Sequence, residues 1–199
     1  MNRNSSGTPA DRSALAEAFA QAREVSLGET ELSQDMPLRV FVGASVTVCL
    51  FDRSSAWCGL RQVMLPSTAR GHRQDAMLNA DAALEDIFTR LCTTADIDSG
   101  DTGRKRIQAK IFGGAELNAP GLSFSDGAQS SSFVRSWLNT RHIPIAAESL
   151  GGIRRRELVL SPSNGVVYCR TLPIDEDFLN EERAKLSAAG KSANKIELF

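Results

Sequence analysis

The chain has 199 residues, 42% of them hydrophobic, which suffices for one substantial domain and falls short of two. With 23 Lys and Arg against 24 Asp and Glu, the net charge is −1, so composition offers no electrostatic basis for nonspecific nucleic-acid binding. The longest mostly apolar run, Val40 to Phe51, contains Gly43, Ser45 and Thr47 and is too short for membrane insertion, since a span needs roughly 20 apolar residues.

Residues 1–12 are polar and read as a disordered N-terminal tail without the apolar core of a signal peptide, so the expected location is the cytoplasm. Leu15, Phe19 and the alanines around them recur at helical spacing, which predicts a short helix over Ser13 to Val25. Leu38 to Asp52 is rich in β-branched residues and reads as one strand bent at Gly43. Cys58 to Leu65 reads as a second strand, stopped by Pro66, with residues 53–57 as a hairpin connection.

Asp75 to Cys92 is the clearest helix, with Met77, Ala80, Leu84, Ile87, Phe88 and Leu91 on one face. A polar loop over 93–105 leads to an alternating strand, Ile107 to Phe112, which ends at Gly113-Gly114. A long loop over 116–131 precedes a helix over Ser132 to Arg141, capped by Ser130 or Ser131 and burying Phe133, Val134, Trp137 and Leu138. Three short strands follow: Ile143 to Ala147, Glu157 to Leu160, and Val166 to Arg170. The turn Pro162-Ser163-Asn164-Gly165 joins the last two, and Asp175 is placed to cap a final helix through Leu186. The predicted organisation is a single domain over 13–186 and a polar C-terminal tail over 187–199.

The cysteines, Cys49, Cys58, Cys92 and Cys169, form no CxxC pair, and no histidine sits at metal-ligand spacing from them. They read as reduced and mostly buried thiols, and no metal or other cofactor is expected.

Two neighbouring segments carry the functional signal. Residues 40–52 read VFVGASVTVCLFD and residues 58–67 read CGLRQVMLPS. Further on come Ala109-Lys110-Ile111-Phe112-Gly113-Gly114-Ala115, then Gly151-Gly152 before an arginine run, then Asn164-Gly165-Val166-Val167. In this order and spacing, from about Leu38 to Arg170, the set resembles the CheD family of chemoreceptor glutamine deamidases. There the first two segments usually read like LGSCVAVCLYD and GGLAHVMLPHS, and KIFGGA recurs unchanged.

The resemblance implies an α+β fold, with two packed mixed β-sheets flanked by helices. It also implies hydrolytic deamidation of glutamine to glutamate on methyl-accepting chemoreceptors in bacterial chemotaxis. The family's nucleophilic Cys falls at Ser45 and its His base at Gln62. The Thr that precedes the family's Cys falls in the Arg39-Val40 neighbourhood. Gly43 can still make the turn before the nucleophile position, and Gly113 and Gly114 are expected to shape the cleft.

A thiol suits amide hydrolysis because its ordinary pKa is near 8.5 and a neighbouring imidazole lowers it further. Ser45 is a far weaker nucleophile without a base, and a Gln62 carboxamide is not a base at neutral pH. The expectation is low or absent cysteine-type deamidase activity. Among other side chains, His72 is the remaining candidate base and reads more simply as a surface-loop histidine; His142 reads as a helix C-terminal residue. Arg154-Arg155-Arg156 reads as a solvated strand start with paired charges, or alternatively as a docking surface for an acidic receptor helix.

The competing functions are thus a receptor deamidase, a catalytically inactive CheD-like protein docking on receptors or on a CheC-type phosphatase, and a diverged scaffold unconnected with chemotaxis.

Overall fold

The computed structural model describes residues 16–17, 19–65, 73–98, 100–117 and 125–192. Two short strands absent from the sequence reading come first, β1 (Arg23–Glu24) and β2 (Thr30–Ser33). Arg23 and Glu24 therefore do not continue the expected N-terminal helix; they pair in parallel with Leu38 and Arg39. Residues 16, 17 and 19–21 are helical within the expected span, while residues 13–15 and 18 of it, the tail over 1–12 and the segment after Ser192 lie outside the described residues.

The β-branched run 38–52 is two strands, β3 (Leu38–Val42) and β4 (Val46–Asp52), and they belong to different sheets. β5 (Cys58–Val63) returns antiparallel to β4 through the expected hairpin. The helix α1 (Arg73–Thr94) buries Ala80, Leu84, Ile87, Phe88 and Leu91, while Met77 is exposed and Ala76 takes the buried place one residue earlier. A one-turn helix, α2 (Asp101–Arg104), interrupts the expected polar loop before β6 (Ile107–Gly113).

Helix α3 (Ser125–Thr140) starts nearly two turns before the expected cap. There Gly127 fits where a Cβ would meet the Gly114 and Ala115 carbonyl oxygens at 2.5 and 3.0 Å, so the small polar stretch read as loop is helix in close backbone contact. The strands β7 (Ile145–Leu150), β8 (Arg155–Leu160) and β9 (Val167–Leu172) lead to α4 (Glu176–Ser192). α4 is capped as expected, with the Phe178 N–H donating to Asp175 Oδ1 at 2.9 Å, and it runs beyond Leu186 to Ser192.

The two sheets are mixed, as the α+β expectation requires. One has the order β1-β3-β8-β9 and the other β2-β5-β4-β6-β7. Side-chain alternation divides the core into layers. Val46, Val48, Leu50 and Ile111 face α1 and α3, where they meet Leu84, Ile87 and Trp137. Cys49, Leu60 and Phe112 face the other sheet and meet Val40, Val42 and Leu158. β4 is thus buried on both faces, which explains its near-continuous apolar sequence. Among the described residues no helix is long and apolar enough to cross a membrane.

Candidate active site at the sheet-switch corner

Gly43, Ala44 and Ser45 form the corner at which the chain leaves one sheet and enters the other. The segment after β6 clasps this corner: the Gly114 N–H donates to the Ser45 carbonyl at 2.7 Å and the Ala115 N–H to the Gly43 carbonyl at 2.8 Å. Gly113 has φ +112°, and a Cβ there would lie 2.2 Å from the Ser45 carbonyl oxygen, so this approach requires glycine. The Gly151-Gly152 turn closes the ring from outside, with the Gly151 N–H donating to the Gly113 carbonyl and the Glu116 N–H to the Gly152 carbonyl.

The structure brings Ser45 and Gln62 together. The Ser45 hydroxyl donates to Gln62 Oε1 at 2.9 Å, and both side chains are buried. Gln62 comes from β5 opposite Thr47, and it faces the other sheet, where its amide Nε2 donates at 3.4 Å to the Phe41 carbonyl. Its outer edge forms part of the floor of a cleft of about 370 Å³, bounded by Val25, Leu27, Phe41, Glu181 and Ala184. The Thr47 hydroxyl, buried beside this pair, has no hydrogen-bond partner.

The pair is neutral at every accessible pH. A hydroxyl proton shared with a carboxamide oxygen is not removed, because the amide takes up a proton only in strong acid. The neighbouring thiols do not supply a thiolate in its place. Burial, followed by the proximity of Cys58, drives the Cys49 thiol far above its ordinary range despite Lys110 nearby. Burial likewise pushes the Cys58 thiol up to about 12. His142 is exposed at the far end of α3, roughly 20 Å along the helix axis from its Gly114-contacting end at Gly127. His72 lies outside the described residues. Among the described residues no cluster of His, Cys, Asp or Glu is arranged to hold a metal ion.

Sequence reasoning missed the contribution of α4. Its Glu182 is buried, and Oε2 accepts the Ala44 N–H at 3.0 Å, on the residue next to Ser45. One turn earlier, Phe178 packs with Ala44, Met64, Ala115 and Leu117. A Cβ on Gly43 would meet Phe178 Cζ at 2.5 Å and Glu182 Oε2 at 2.9 Å, so glycine here makes room for the helix. The available sequence signal was the i,i+4 spacing of an aromatic and an acid in the first half of a largely polar helix.

The arginine run is mostly engaged: Arg155 pairs with Asp175 at 2.8 Å and lies over the Phe178 ring, and Arg156 donates to the Gly151 carbonyl at 2.7 Å.

Comparison with known proteins agrees with the ordered motifs. The family profile described as CheD chemotactic sensory transduction matches residues 64–171, a span that begins two residues past Gln62. A protein of Dechloromonas aromatica named "Probable chemoreceptor glutamine deamidase CheD 2" is 31% identical over 189 residues, covering 89% of this chain and 93% of that protein. Proteins named "Probable chemoreceptor glutamine deamidase CheD" give similar matches. That of Xanthomonas campestris is 32% identical, covering 84% of this chain and 83% of its own length. That of Caulobacter vibrioides is 30% identical, covering 76% and 78%. With the motif order, the two mixed sheets and these relatives in agreement, the chain belongs to the CheD family.

Proposed function

We propose that this protein is a chemotaxis protein that binds the cytoplasmic domain of a methyl-accepting chemoreceptor and does not run the cysteine deamidation reaction. The observation that carries this reading is the buried hydrogen bond from the Ser45 hydroxyl to Gln62 Oε1. Deamidation of a glutamine side chain needs a nucleophile for the amide carbon and a proton for the departing ammonia. Ser45 and Gln62 stand where a thiolate and an imidazole would supply these, and together they supply neither. The frame around them supports binding: Gly43, Gly113 and Gly114 hold the corner in shape, and the cleft beside Gln62 is open to a partner. The partner is the receptor itself; a CheC-type phosphatase is the alternative, and both place the protein in the cytoplasm.

The second reading, an active receptor deamidase, is favoured by the names of the relatives. One experiment separates the two. The protein is incubated with a receptor cytoplasmic fragment, and both complex formation and peptide mass are followed. Complex formation without the gain of about 1 Da that accompanies Gln-to-Glu hydrolysis is the expected result. Ammonia release and that mass gain at catalytic turnover refute it. The double variant S45C/Q62H places a thiol and an imidazole within the present 2.9 Å contact, and is expected to gain activity that neither single variant shows.

A further inference from the structure

Helix α4 occupies the corner in the manner of a ligand. We propose that the seat beneath α4 is a helix-docking surface, that α4 fills it within the same chain, and that a chemoreceptor helix bearing Gln or Glu displaces α4 to bind there. This rests on the receptor-binding reading above.

Three features support it. First, the seat demonstrates the required reach. Glu182 Oε2 accepts the Ala44 N–H at 3.0 Å, one residue from Ser45. Glutamine and glutamate have the same chain length, so a glutamine at this helical position presents its carbonyl oxygen to the same N–H. A glutamate makes the stronger, charge-assisted bond and has the form of a deamidated product. Second, the seat accepts an amphipathic helix. Phe178, four residues before Glu182 and on the same helix face, is buried against Ala44, Met64, Ala115 and Leu117. Third, α4 walls the cleft at Gln62 through Glu181 and Ala184, so a helix entering from that side takes the place of α4. The fastening at the start of α4 is removable: the Asp175 side chain that pairs with Arg155 is 52% exposed, and exposed ion pairs hold weakly in water.

The test uses the full chain and a soluble chemoreceptor cytoplasmic fragment. Amide hydrogen exchange is measured over 176–184 and over 43–45, with and without the fragment, beside a binding titration. In the complex, exchange over 176–184 is expected to accelerate while the corner stays protected. Exchange over 176–184 that is unchanged or slower in a formed complex overturns the inference and leaves the receptor-binding reading standing.

Two variants loosen α4 at different points, D175A by removing the cap and the ion pair, E182A by removing the contact to Ala44. If α4 covers the seat about 90% of the time, freeing it raises apparent affinity about tenfold. A gain of at least threefold in both variants supports the inference, and unchanged or weaker binding in both overturns it. Should the wild type fail to bind, binding by either variant supports the inference; failure of all three proteins overturns the inference and the receptor-binding reading together.

Discussion

Gly113 and Gly28 both have left-handed backbones, with φ +112° and +92°, but a Cβ on Gly28 meets nothing within 4 Å whereas one on Gly113 meets the Ser45 carbonyl. Gly28→Ala therefore incurs conformational strain alone, about 1 kcal/mol, and Gly113→Ala adds a backbone collision, for a total of about 2–4 kcal/mol. Urea midpoints of the two variants measure the difference; equal losses would show that the corner yields to accommodate a side chain. The thiols provide a second residue-scale test. Cys169 is exposed while Cys49, Cys58 and Cys92 are buried; desolvation raises all four thiols, so access is what separates them. In the native protein one thiol is expected to react promptly with a disulfide reagent, and all four only after unfolding. Prompt modification of Cys49 without unfolding would contradict its burial.

At the scale of elements, the β4–β5 turn is tied to the start of β6 through Asp52. Arg106 donates to both of its carboxylate oxygens, at 3.2 and 2.8 Å, and the Ser55 hydroxyl and Ser54 N–H also donate to it. Burial alone raises the Asp52 pKa, but these bonds outweigh it and hold the carboxyl below its ordinary value. A carboxyl more acidic in the folded state than in the unfolded one stabilises fully above its unfolded pKa, and loses that contribution as pH falls through its folded pKa. Asp52→Asn is expected to destabilise by about 1–3 kcal/mol at pH 7, with the gap from wild type closing in acid, as read by urea unfolding across pH. A gap that persists below the carboxylate range would assign the effect to packing.

Gly43→Ala acts on another element: its Cβ collides with the side-chain ends of Phe178 and Glu182, so α4 gives way before the sheet does. Faster amide exchange over 176–184, with β4 unchanged, is the expected outcome.

The long helices and most strands were legible in the sequence because their patterns are local. Leu84, Ile87, Phe88 and Leu91 show the period of α1 without reference to anything else. Met77 was misassigned because one periodic stripe does not reveal where the neighbouring helix stops covering it. The start of α3 was missed because its first two turns are Ser, Asp, Gly, Ala and Gln, whose helical state is stabilised by contact with the Gly114 loop.

For the whole molecule, what the sequence concealed was the exchange of sheets at residues 43–45. Val40, Val42, Val46 and Val48 are fully buried on either side of it, and no hydrophobic pattern distinguishes burial in one sheet from burial in the next. The juxtaposition of Ser45 with Gln62 was legible only through motif order; spacing alone cannot fix a contact made across two strands. The place of Glu182 was not legible, because it depends on a helix 138 residues away folding back onto the corner.

Gln62 is rooted in the five-stranded sheet, yet it holds Ser45 at the hinge and the Phe41 carbonyl of the opposite layer. One carboxamide thereby rivets the two halves of the sandwich at the point where the main chain passes between them. Slippage of one layer over the other by an ångström parts the bond to Phe41, so this position contributes to mechanical integrity whatever its chemistry.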